Sequence, residues 1–558
     1  KLTGAEFSGA SLVGANLKGA NLTNAVLSNA ALGQASLKDA NLTGADLSGA
    51  DLTQATLTGV EVQSAALEGT TLTGVVSGSV SGTPASLVTP YVLDSGYLLG
   101  PGVNLSGNDL STFVFDNLDL AGADLSAADL SDASFAGADL SGANLTSCEL
   151  AGVNLAGADL SGATLGGVTS GGVSGAPSAL PAEWILVNGY LVGPGAVLEG
   201  SNLDGADLSG ATLTGVQSGS IGGTPAGLPA PWKLIGGYLI GPGANLAGAF
   251  LKGKNLSGAV LTGANLQNAN LFGTNLVGAQ FDGADLSGAS LTGANALNIN
   301  LSGAKLIDAT LGSTTLKNGD LSGADLTEAQ VTNAILEGAN LSGATLAQTD
   351  LQGADLEGAD LTGVSLETAD LEDVHAISLG ACPDALPAGW QCISACLAGP
   401  TANLSGAELS GADLSGLDLT EAVLTSADLS QAILTGANLT SVALSGADLA
   451  GLISGEIVGT PSSLPEQWVL TQGYLLGPGA DLAGADLQET DLTATFGIGL
   501  AACPEALPEG WVCAKNNLAG PGANLAGADL TDADLSGMDL SNADMSGVNM
   551  AGAILDGA

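Results

Sequence analysis

The sequence predicts an all-β fold in which the chain turns a corner after every fifth residue. The clearest stretch, Ala121 to Leu145, reads AGADLSAADLSDASFAGADLSGANL, and its Leu125, Leu130 and Phe135 fall on one beat. Five residues advance an α-helix by about 500°, which would scatter these side chains around it, and an odd step would send them to alternate faces of a strand. Only a chain that bends after each pentapeptide points them all inward. The 85 glycines suit such corners.

The pattern Ala-Asp/Asn-Leu-Ser/Thr-Gly resembles the pentapeptide-repeat family over most of the chain. The resemblance implies a right-handed quadrilateral parallel β-helix solenoid with four pentapeptides per coil. Leu and the preceding small residue would face inward, and Asp/Asn, Ser/Thr and Gly would face outward. About 78 pentapeptides would make roughly 20 coils, and at about 4.8 Å per coil a rod of about 90–100 Å.

Stacking of the coils is an energetic requirement. One buried Leu contributes roughly 2 kcal/mol, whereas ordering five backbone residues costs roughly 5–10 kcal/mol. A lone repeat therefore cannot fold, and the stability of a solenoid is a sum over neighbouring coils.

The five-residue beat is interrupted six times by a segment of constant length. It stops at Leu72 and restarts at Leu105, and every later interruption separates its two flanking leucines by the same interval. We therefore divide the chain into seven solenoid blocks and six modules. The solenoid blocks are residues 1–74, 103–167, 196–215, 244–373, 402–451, 480–494 and 523–558. The hairpin modules are residues 75–102, 168–195, 216–243, 374–401, 452–479 and 495–522. The number of pentapeptides between successive modules, taken modulo the four sides of a coil, is not constant. If each module uses the same number of sides, the modules are therefore expected on different faces of the solenoid.

Each module is predicted to contain a β-hairpin. In the second module the triplets Trp184-Ile-Leu and Tyr190-Leu-Val flank Val187-Asn188-Gly189, and Asn-Gly is the strongest signal for a two-residue hairpin turn. The preceding segment Pro177–Pro181 predicts a tight turn. The modules contain every Trp and Tyr of the chain. The candidate contact aromatics are Tyr91, Tyr97, Trp184, Tyr190, Trp232, Tyr238, Trp390, Trp468, Tyr474 and Trp511.

Two roles for these aromatic side chains stay open at the level of sequence. An isolated hairpin is marginal in water, so it must dock on another surface. In the first interpretation it folds back on the wall of its own solenoid, with the aromatic ring as the anchor. In the second, Trp and Tyr are presented to a neighbouring molecule, because these residues favour interfaces.

Four of the six cysteines come in pairs at equal spacing. Cys382 and Cys392, and likewise Cys503 and Cys513, are ten residues apart at the same two positions of their modules, and the other modules lack both. Cysteines present or absent as a pair predict disulfides, and disulfides indicate an oxidising compartment. The alternative is two buried thiols; a zinc site has too few ligands. Cys148 is expected to be an inert buried thiol. Cys396 is the candidate for an intermolecular bond.

The charge excludes several partners. The net charge is −47, and the nine basic residues are all Lys, so nucleic-acid binding through basic clusters is not expected. No apolar run reaches the roughly 18 residues of a membrane span, so no membrane insertion is expected.

Stacking of four-pentapeptide coils places Asp139 beside Asp159, where the two carboxylates repel each other, and Asp124 beside Asn144. These Asp ladders are expected to be solvated, with weakly bound Ca²⁺ or Mg²⁺ as the alternative; no other cofactor is expected.

No catalytic constellation is visible. The one histidine, His375, stands where a block meets its module and has no nucleophile as partner, and the carboxylates follow the repeat. We expect no catalytic, metal-binding or cofactor-binding residues and no enzyme activity.

Three functions are compatible with these features of the sequence. The first is an extracellular or cell-surface structural rod that assembles end to end or laterally into a filament or appendage. Both ends of the sequence are in register, and an uncapped solenoid end is a template for another chain. The second is a surface adhesin or ligand-binding protein that uses its Trp/Tyr hairpins. The third is suggested by the family resemblance: an acidic DNA mimic that inhibits a type II topoisomerase.

Overall fold

The computed structural model describes residues 1–558 as an all-β chain without helices. It divides into two compact units, Lys1–Leu246 and Ala247–Ala558. Each unit is a parallel β-helix, as the sequence predicted. No membrane-spanning helix is found in the structure.

In both units each pentapeptide of a solenoid block lies beside the fourth pentapeptide after it. Val26 bridges Asp46, and Asp46 in turn bridges Ala66, in each case in parallel. Four such ladders run side by side, because bridges recur at every fifth residue along the chain. Each coil of a solenoid block therefore contains four pentapeptides.

The pentapeptide Ala45–Gly49 shows why the repeat has its composition. Its first N–H closes the preceding turn, its second bonds to the coil before, and its third and fifth bond to the coil after. The fourth bonds to the side chain of Asp46. In order, the bonds run from Ala45 N to Leu42 O (2.8 Å), Asp46 N to Ala25 O (2.9 Å), Leu47 N to Ala66 O (2.9 Å), Ser48 N to Asp46 Oδ1 (3.0 Å) and Gly49 N to Glu68 O (2.8 Å). All five backbone donors are satisfied, as an ordered backbone requires.

The corner after each leucine is a β-turn. Leu47 O accepts a hydrogen bond from Ala50 N at 2.9 Å, and the third residue of the turn, Gly49, has φ of 67°. Asn29 has φ of 56° at the equivalent position of an earlier repeat. Gly and Asn adopt this left-handed conformation most readily, which explains their preference for the fifth position.

The inward positions form a thin aliphatic core. Leu and the preceding Ala of successive repeats are buried; Leu47 and Ala50, for example, are 0% exposed. Phe115 and Phe135 replace Leu on successive coils and stack with ring centroids 4.6 Å apart. The aliphatic columns predicted from the sequence are thus continuous in this part of the core.

Regular strands are short. Two pairs of neighbouring coils form parallel strands, β1 with β2 and β5 with β6, and the other strands form antiparallel hairpins: β3/β4, β7/β8, β9/β10, β11/β12, β13/β14 and β15/β16. The strands are β1 Ala66–Leu67, β2 Ser86–Leu87, β3 Val92–Asp94, β4 Tyr97–Leu99, β5 Glu149–Ala151, β6 Thr169–Gly171, β7 Ile185–Val187, β8 Tyr190–Val192, β9 Lys233–Ile235, β10 Tyr238–Ile240, β11 Gln391–Ile393, β12 Cys396–Ala398, β13 Val469–Thr471, β14 Tyr474–Leu476, β15 Val512–Ala514 and β16 Asn517–Ala519.

A coil that carries a hairpin is eight residues longer than an ordinary coil. Val76 bridges Asn104, whereas an ordinary coil would have brought Gly96 beside it, and Thr169 bridges Val197 with the same longer spacing. The constant interval between the leucines that flank an interruption is one such coil plus one pentapeptide. Each hairpin is therefore an insertion within one coil, and the ladders resume above it.

Within a unit, the hairpin coils do not all branch from one ladder. In the first unit, the hairpin coil that starts at Val76 continues the ladder through Asn104 and Asp124, whereas the next two start at Thr169 and Gln217 on the neighbouring ladder. In the second unit, hairpin coils start at His375 and Ile453, which again lie on different ladders.

The aspartates of the repeat are turn caps, and this makes stability depend on pH. Asp51 Oδ1 accepts hydrogen bonds from Thr53 N at 3.0 Å and from Thr53 Oγ1 at 2.6 Å. The Thr53 hydroxyl and then its N–H hold the pKa of Asp51 below its ordinary value of 3.8. Because the folded-state pKa is depressed, the stabilisation is present above pH 3.8 and is lost as the pH falls through the folded-state pKa.

We expect the melting temperature to decrease as the pH is lowered below 3.8, because many repeats share this cap. Asp51→Asn keeps a side-chain oxygen that accepts the hydrogen bond, as Asn41 Oδ1 does from Thr43 N at 2.8 Å. The contribution of the substituted amide to stability should not depend on pH. Asp51→Ala loses the cap and should cost about 0.5–1.5 kcal/mol at neutral pH. Thermal unfolding of the three proteins between neutral and acid pH tests this. Equal losses for the Asn and Ala variants at neutral pH would contradict the capping role.

Candidate functional site: the hairpin modules

In every module the aromatic residue before the hairpin packs on a glycine nine residues later. A Cβ added at Gly193 would lie 2.2 Å from the ring of Trp184, so only glycine admits this contact. Trp184 N also donates to Pro181 O at 3.2 Å, which closes a turn that begins at Pro181, the last residue of the segment Pro177–Pro181 in which the turn was predicted. The equivalent pairs, in which an added Cβ on the glycine would lie 2.1–2.4 Å from the ring, are Tyr91–Gly100, Trp232–Gly241, Trp390–Gly399, Trp468–Gly477 and Trp511–Gly520.

In four modules the tyrosine of the hairpin packs on a second glycine, which lies near the start of the same coil. A Cβ at Gly171 would lie 3.2 Å from Tyr190 Cε1. The residue before that glycine, Ser170, stands on the leucine beat, is buried, and accepts a hydrogen bond on Oγ from Leu191 N at 2.9 Å. The other three pairs are Tyr97 with Gly78, Tyr238 with Gly219 and Tyr474 with Gly455.

The other two modules replace this arrangement as a unit. Cys396 and Asn517 stand at the tyrosine position, and Ile377 and Ile498 stand at the glycine position. No serine hydroxyl is used there: Leu397 N donates to Ala376 O at 2.9 Å, and Leu518 N to Gly497 O at 2.7 Å. Where the hairpin residue is Tyr, the residue paired with it is Gly. Where the hairpin residue is the smaller Cys or Asn, the residue paired with it is Ile.

The turn of each hairpin is also bonded to its own coil. Val173 N donates to Gly189 O at 3.0 Å, and the corresponding bond is present in all six modules. Asn188 and Gly189 both have positive φ, as the predicted hairpin turn requires. The side chains of the ten candidate contact aromatics are half-buried against the wall of the solenoid. The hairpins therefore dock on their own solenoid, which favours the first of the two interpretations drawn from the sequence.

The two disulfides predicted from the sequence are present. Cys382 is bonded to Cys392 and Cys503 to Cys513, each with 6.0 Å between the Cα atoms. Each bond ties the proline-rich turn of a module to the first strand of its hairpin. The disulfides occur in the two modules that lack the Tyr–Gly pair.

The remaining cysteines are buried free thiols. Burial raises the pKa of Cys148 to about 11, in keeping with the inert thiol predicted from the sequence. Burial also raises the pKa of Cys396, which begins the second strand of its hairpin and is 1% exposed. This burial argues against the intermolecular disulfide suggested for Cys396, which stays an untested prediction.

The polar ladders place carboxylates at regular intervals on the outside. Asp139 bridges Asp159, so these two charges are neighbours, as predicted from four pentapeptides per coil. Elsewhere an asparagine relieves the repulsion, since Asn144 Nδ2 donates to Asp124 Oδ1 at 3.0 Å. His375 lies on a ladder between Asp355 and Asn403.

The paired replacement in the modules gives a testable expectation. Gly171→Ile should clash with Tyr190 and undock the hairpin of the second module, whereas adding Tyr190→Cys should recover most of the loss, because Ile377 and Cys396 coexist in the fourth module. Overpacking of this kind costs about 1–3 kcal/mol. Hydrogen exchange of the Leu191 amide measures it. A double variant no more protected than Gly171→Ile alone would contradict the proposed pairing.

Sequence reasoning missed the role of the Ser170-Gly171 pair and its counterparts near the start of each module. A signal was available: Ser-Gly precedes the hairpin tyrosine at a constant spacing in each module with Tyr, and Ile replaces that Gly wherever Tyr is absent.

The comparison with family models agrees with this fold. A family model described as Pentapeptide repeats (8 copies) matches residues 1–39, 35–74, 128–167, 194–217, 243–278, 269–306, 304–343, 339–375, 402–440 and 522–558. These segments cover more than half of the chain. A search of curated proteins finds no significant match.

Solved structures of pentapeptide repeat proteins are similar over parts of the chain. Rfr23 from the cyanobacterium Cyanothece 51142 is 35% identical over 18% of this chain and 63% of its own, with a TM-score of 0.13. A protein from the Arabidopsis thaliana thylakoid lumen is 34% identical over 21% of this chain and 69% of its own, with a TM-score of 0.14. QnrB1, a plasmid-mediated fluoroquinolone resistance protein, is 15% identical over 47% of this chain and 91% of its own, with a TM-score of 0.20. On the strength of the family model, this chain belongs to the pentapeptide repeat family.

Proposed function

We propose that this chain is a non-enzymatic structural protein of the extracellular space or the cell surface, which assembles end to end or laterally into a filament or appendage. The fold in this proposal is a right-handed quadrilateral solenoid of about 78 pentapeptides with six hairpin modules. The observation that carries it is the docking of all six hairpin turns on their own coils. The Trp and Tyr side chains of the hairpins, which are typical of binding surfaces, instead pack against the solenoid and stabilise it.

The extracellular location rests on the two disulfides. Disulfides persist in oxidising compartments and are rare where thiols are kept reduced. Each one closes a short loop within a module that lacks the Tyr–Gly contact, so it reinforces a hairpin that has less aromatic packing. Under this proposal all chains in the filament are copies of one protein, and nucleic acid is not a partner.

The surface charge sets a condition for lateral assembly. A net charge of −47 makes parallel solenoids repel unless counter-ions screen them. Ca²⁺ or Mg²⁺ held weakly along the Asp ladders would act as counter-ions rather than as resident cofactors. Lateral assembly should therefore strengthen with ionic strength.

A surface adhesin is the second candidate. It is favoured by the half-exposed state of the ten hairpin aromatics, none of which is fully covered by the chain. The hairpin edge also exposes Val92, which is 37% accessible. Such surfaces suit a ligand that stacks on Trp or Tyr.

Electron microscopy of the purified protein over a range of concentrations and Ca²⁺ levels tests the filament. We expect filaments whose abundance rises with both; uniformly monomeric particles throughout would contradict assembly. A thiol titration under denaturing conditions should find two free thiols among the six cysteines. Six reactive thiols would remove the argument for an oxidising compartment. Inhibition of topoisomerase supercoiling by the pure protein would support the DNA mimic instead.

A further inference from the structure

Asp355, Glu357 and His375 lie together in the second unit, on two successive coils. Each offers one ligand atom, and these three atoms lie within 4.8 Å of one another. Asp355 and His375 are direct neighbours on one ladder. His375 is the one histidine of the chain, and the stacking of coils places it beside an Asp-Leu-Glu sequence.

The imidazole is held in a defined tautomer by a group outside this cluster. His375 Nδ1 lies 2.9 Å from Asn403 O, on the following coil. A carbonyl oxygen only accepts, so Nδ1 carries the hydrogen and Nε2 of the neutral ring keeps its lone pair. A ring N–H donated to a backbone carbonyl is the usual support for a histidine that ligates a metal through its other nitrogen.

The two carboxylates have capacity left for a cation. Asp355 Oδ1 accepts a hydrogen bond from Glu357 N at 3.1 Å, which leaves Oδ2. Two coils below Glu357 stands Lys317, which is bonded to Glu337 at 2.6 Å. Glu357 is thus next to an ion pair that is already complete, and the carboxylates of Asp355 and Glu357 both lie beside the imidazole of His375.

We propose that Asp355, Glu357 and His375 bind a divalent transition metal of the zinc class. One imidazole nitrogen and two carboxylate oxygens suit Zn²⁺, whereas Ca²⁺ and Mg²⁺ prefer oxygen ligands alone. Zinc–ligand distances of about 2.0–2.2 Å place tetrahedral ligands about 3.3 Å apart. Glu357 is exposed, so a change of its rotamer closes the remaining gap, and water completes the shell. The ion would join an ordinary coil to the start of the fourth hairpin module.

The single histidine makes the test direct. The full chain, labelled at histidine, is titrated with Zn²⁺ in a millimolar Ca²⁺ background that occupies the Asp ladders, while the imidazole NMR signals are followed. We expect one equivalent of zinc to shift the Nε2 resonance and to raise the melting temperature. Glu357→Gln should weaken zinc binding by at least about tenfold.

Glu372→Gln is the matched control. Glu372 N donates to Asp370 Oδ1 at 3.1 Å, which repeats the Asp355–Glu357 arrangement without a histidine. This variant removes the same charge and should bind zinc as the parent does. An unshifted imidazole at saturating zinc, or equal weakening in the two variants, would overturn the proposal. Unchanged melting of both metal-free variants would show that neither substitution alters the fold.

Discussion

Phe135→Ala is expected to destabilise the core of the block 103–167 by about 3–5 kcal/mol. Phe135 is fully buried and stacks on Phe115 of the preceding coil with an interplanar angle of 10°. Removing the ring deletes its burial and leaves a cavity lined by neighbouring leucine columns. Because each coil contacts only its neighbours, the loss should be greatest in the coils around residue 135 and smaller elsewhere.

Native-state hydrogen exchange is the suitable measurement, since a long repeat array need not unfold in one step. Amides on the coils that contain Phe115 and Phe135 should exchange far faster in the variant. Phe135→Leu is the control, because leucine occupies this position in most repeats, and it should cost less than about 1.5 kcal/mol. Equal exchange in the alanine variant and the parent would contradict a continuous buried column.

Gly193→Ala is expected to release the second hairpin module from the solenoid. The added Cβ would lie 2.2 Å from Trp184, a distance that no rotation of the methyl group relieves. Trp184 must therefore leave its site, and because its side chain is half-buried, the cost should lie below the roughly 3–5 kcal/mol of losing a fully buried Trp. Gly193 does not have positive φ, so backbone strain contributes nothing and the effect is steric.

The fluorescence of Trp184 reports this release once the other four tryptophans are replaced by tyrosine, which stands at that position in the first module. We expect a red-shifted emission and increased quenching by acrylamide in Gly193→Ala. Gly166→Ala is the control, because an added Cβ there meets nothing within 4 Å, and it should leave the emission unchanged. Equal spectra for the two variants would contradict the Trp–Gly contact.

The coil could be predicted from sequence because its determinants are local. Each pentapeptide contains its own turn, its own cap and its own inward residue, so Leu125, Leu130 and Phe135 reveal the period without any tertiary information. The disulfides could be predicted for a similar reason, because Cys382 and Cys392 lie within one module. The roles of Asp and Asn as turn caps could be inferred only from the hydrogen bonds.

The docking of the hairpins could not be read as easily, because it joins residues that are far apart in sequence within one long coil. Tyr190 packs on Gly171, and Leu191 bonds to Ser170, across an intervening proline-rich turn. The cluster of Asp355 and Glu357 with His375 is a contact between successive coils. The stacking of four-pentapeptide coils places His375 beside Asp355, but a histidine considered only with its sequence neighbours appears isolated.

Four pentapeptides of a solenoid block advance the fold by one coil, and this spacing can be measured directly. Thr262 and Thr362 are both exposed and stand at equivalent positions, five coils apart, in the block 244–373. Spin labels at these two positions, in a background with Cys148→Ala and Cys396→Ala, allow the distance to be measured by pulsed electron paramagnetic resonance. Five coils at about 4.8 Å each predict a distance of about 24 Å, and a second pair at Thr262 and Ser342, four coils apart, predicts about 19 Å. Distances that do not differ by about one coil spacing, or that lie far from these values, would contradict the account.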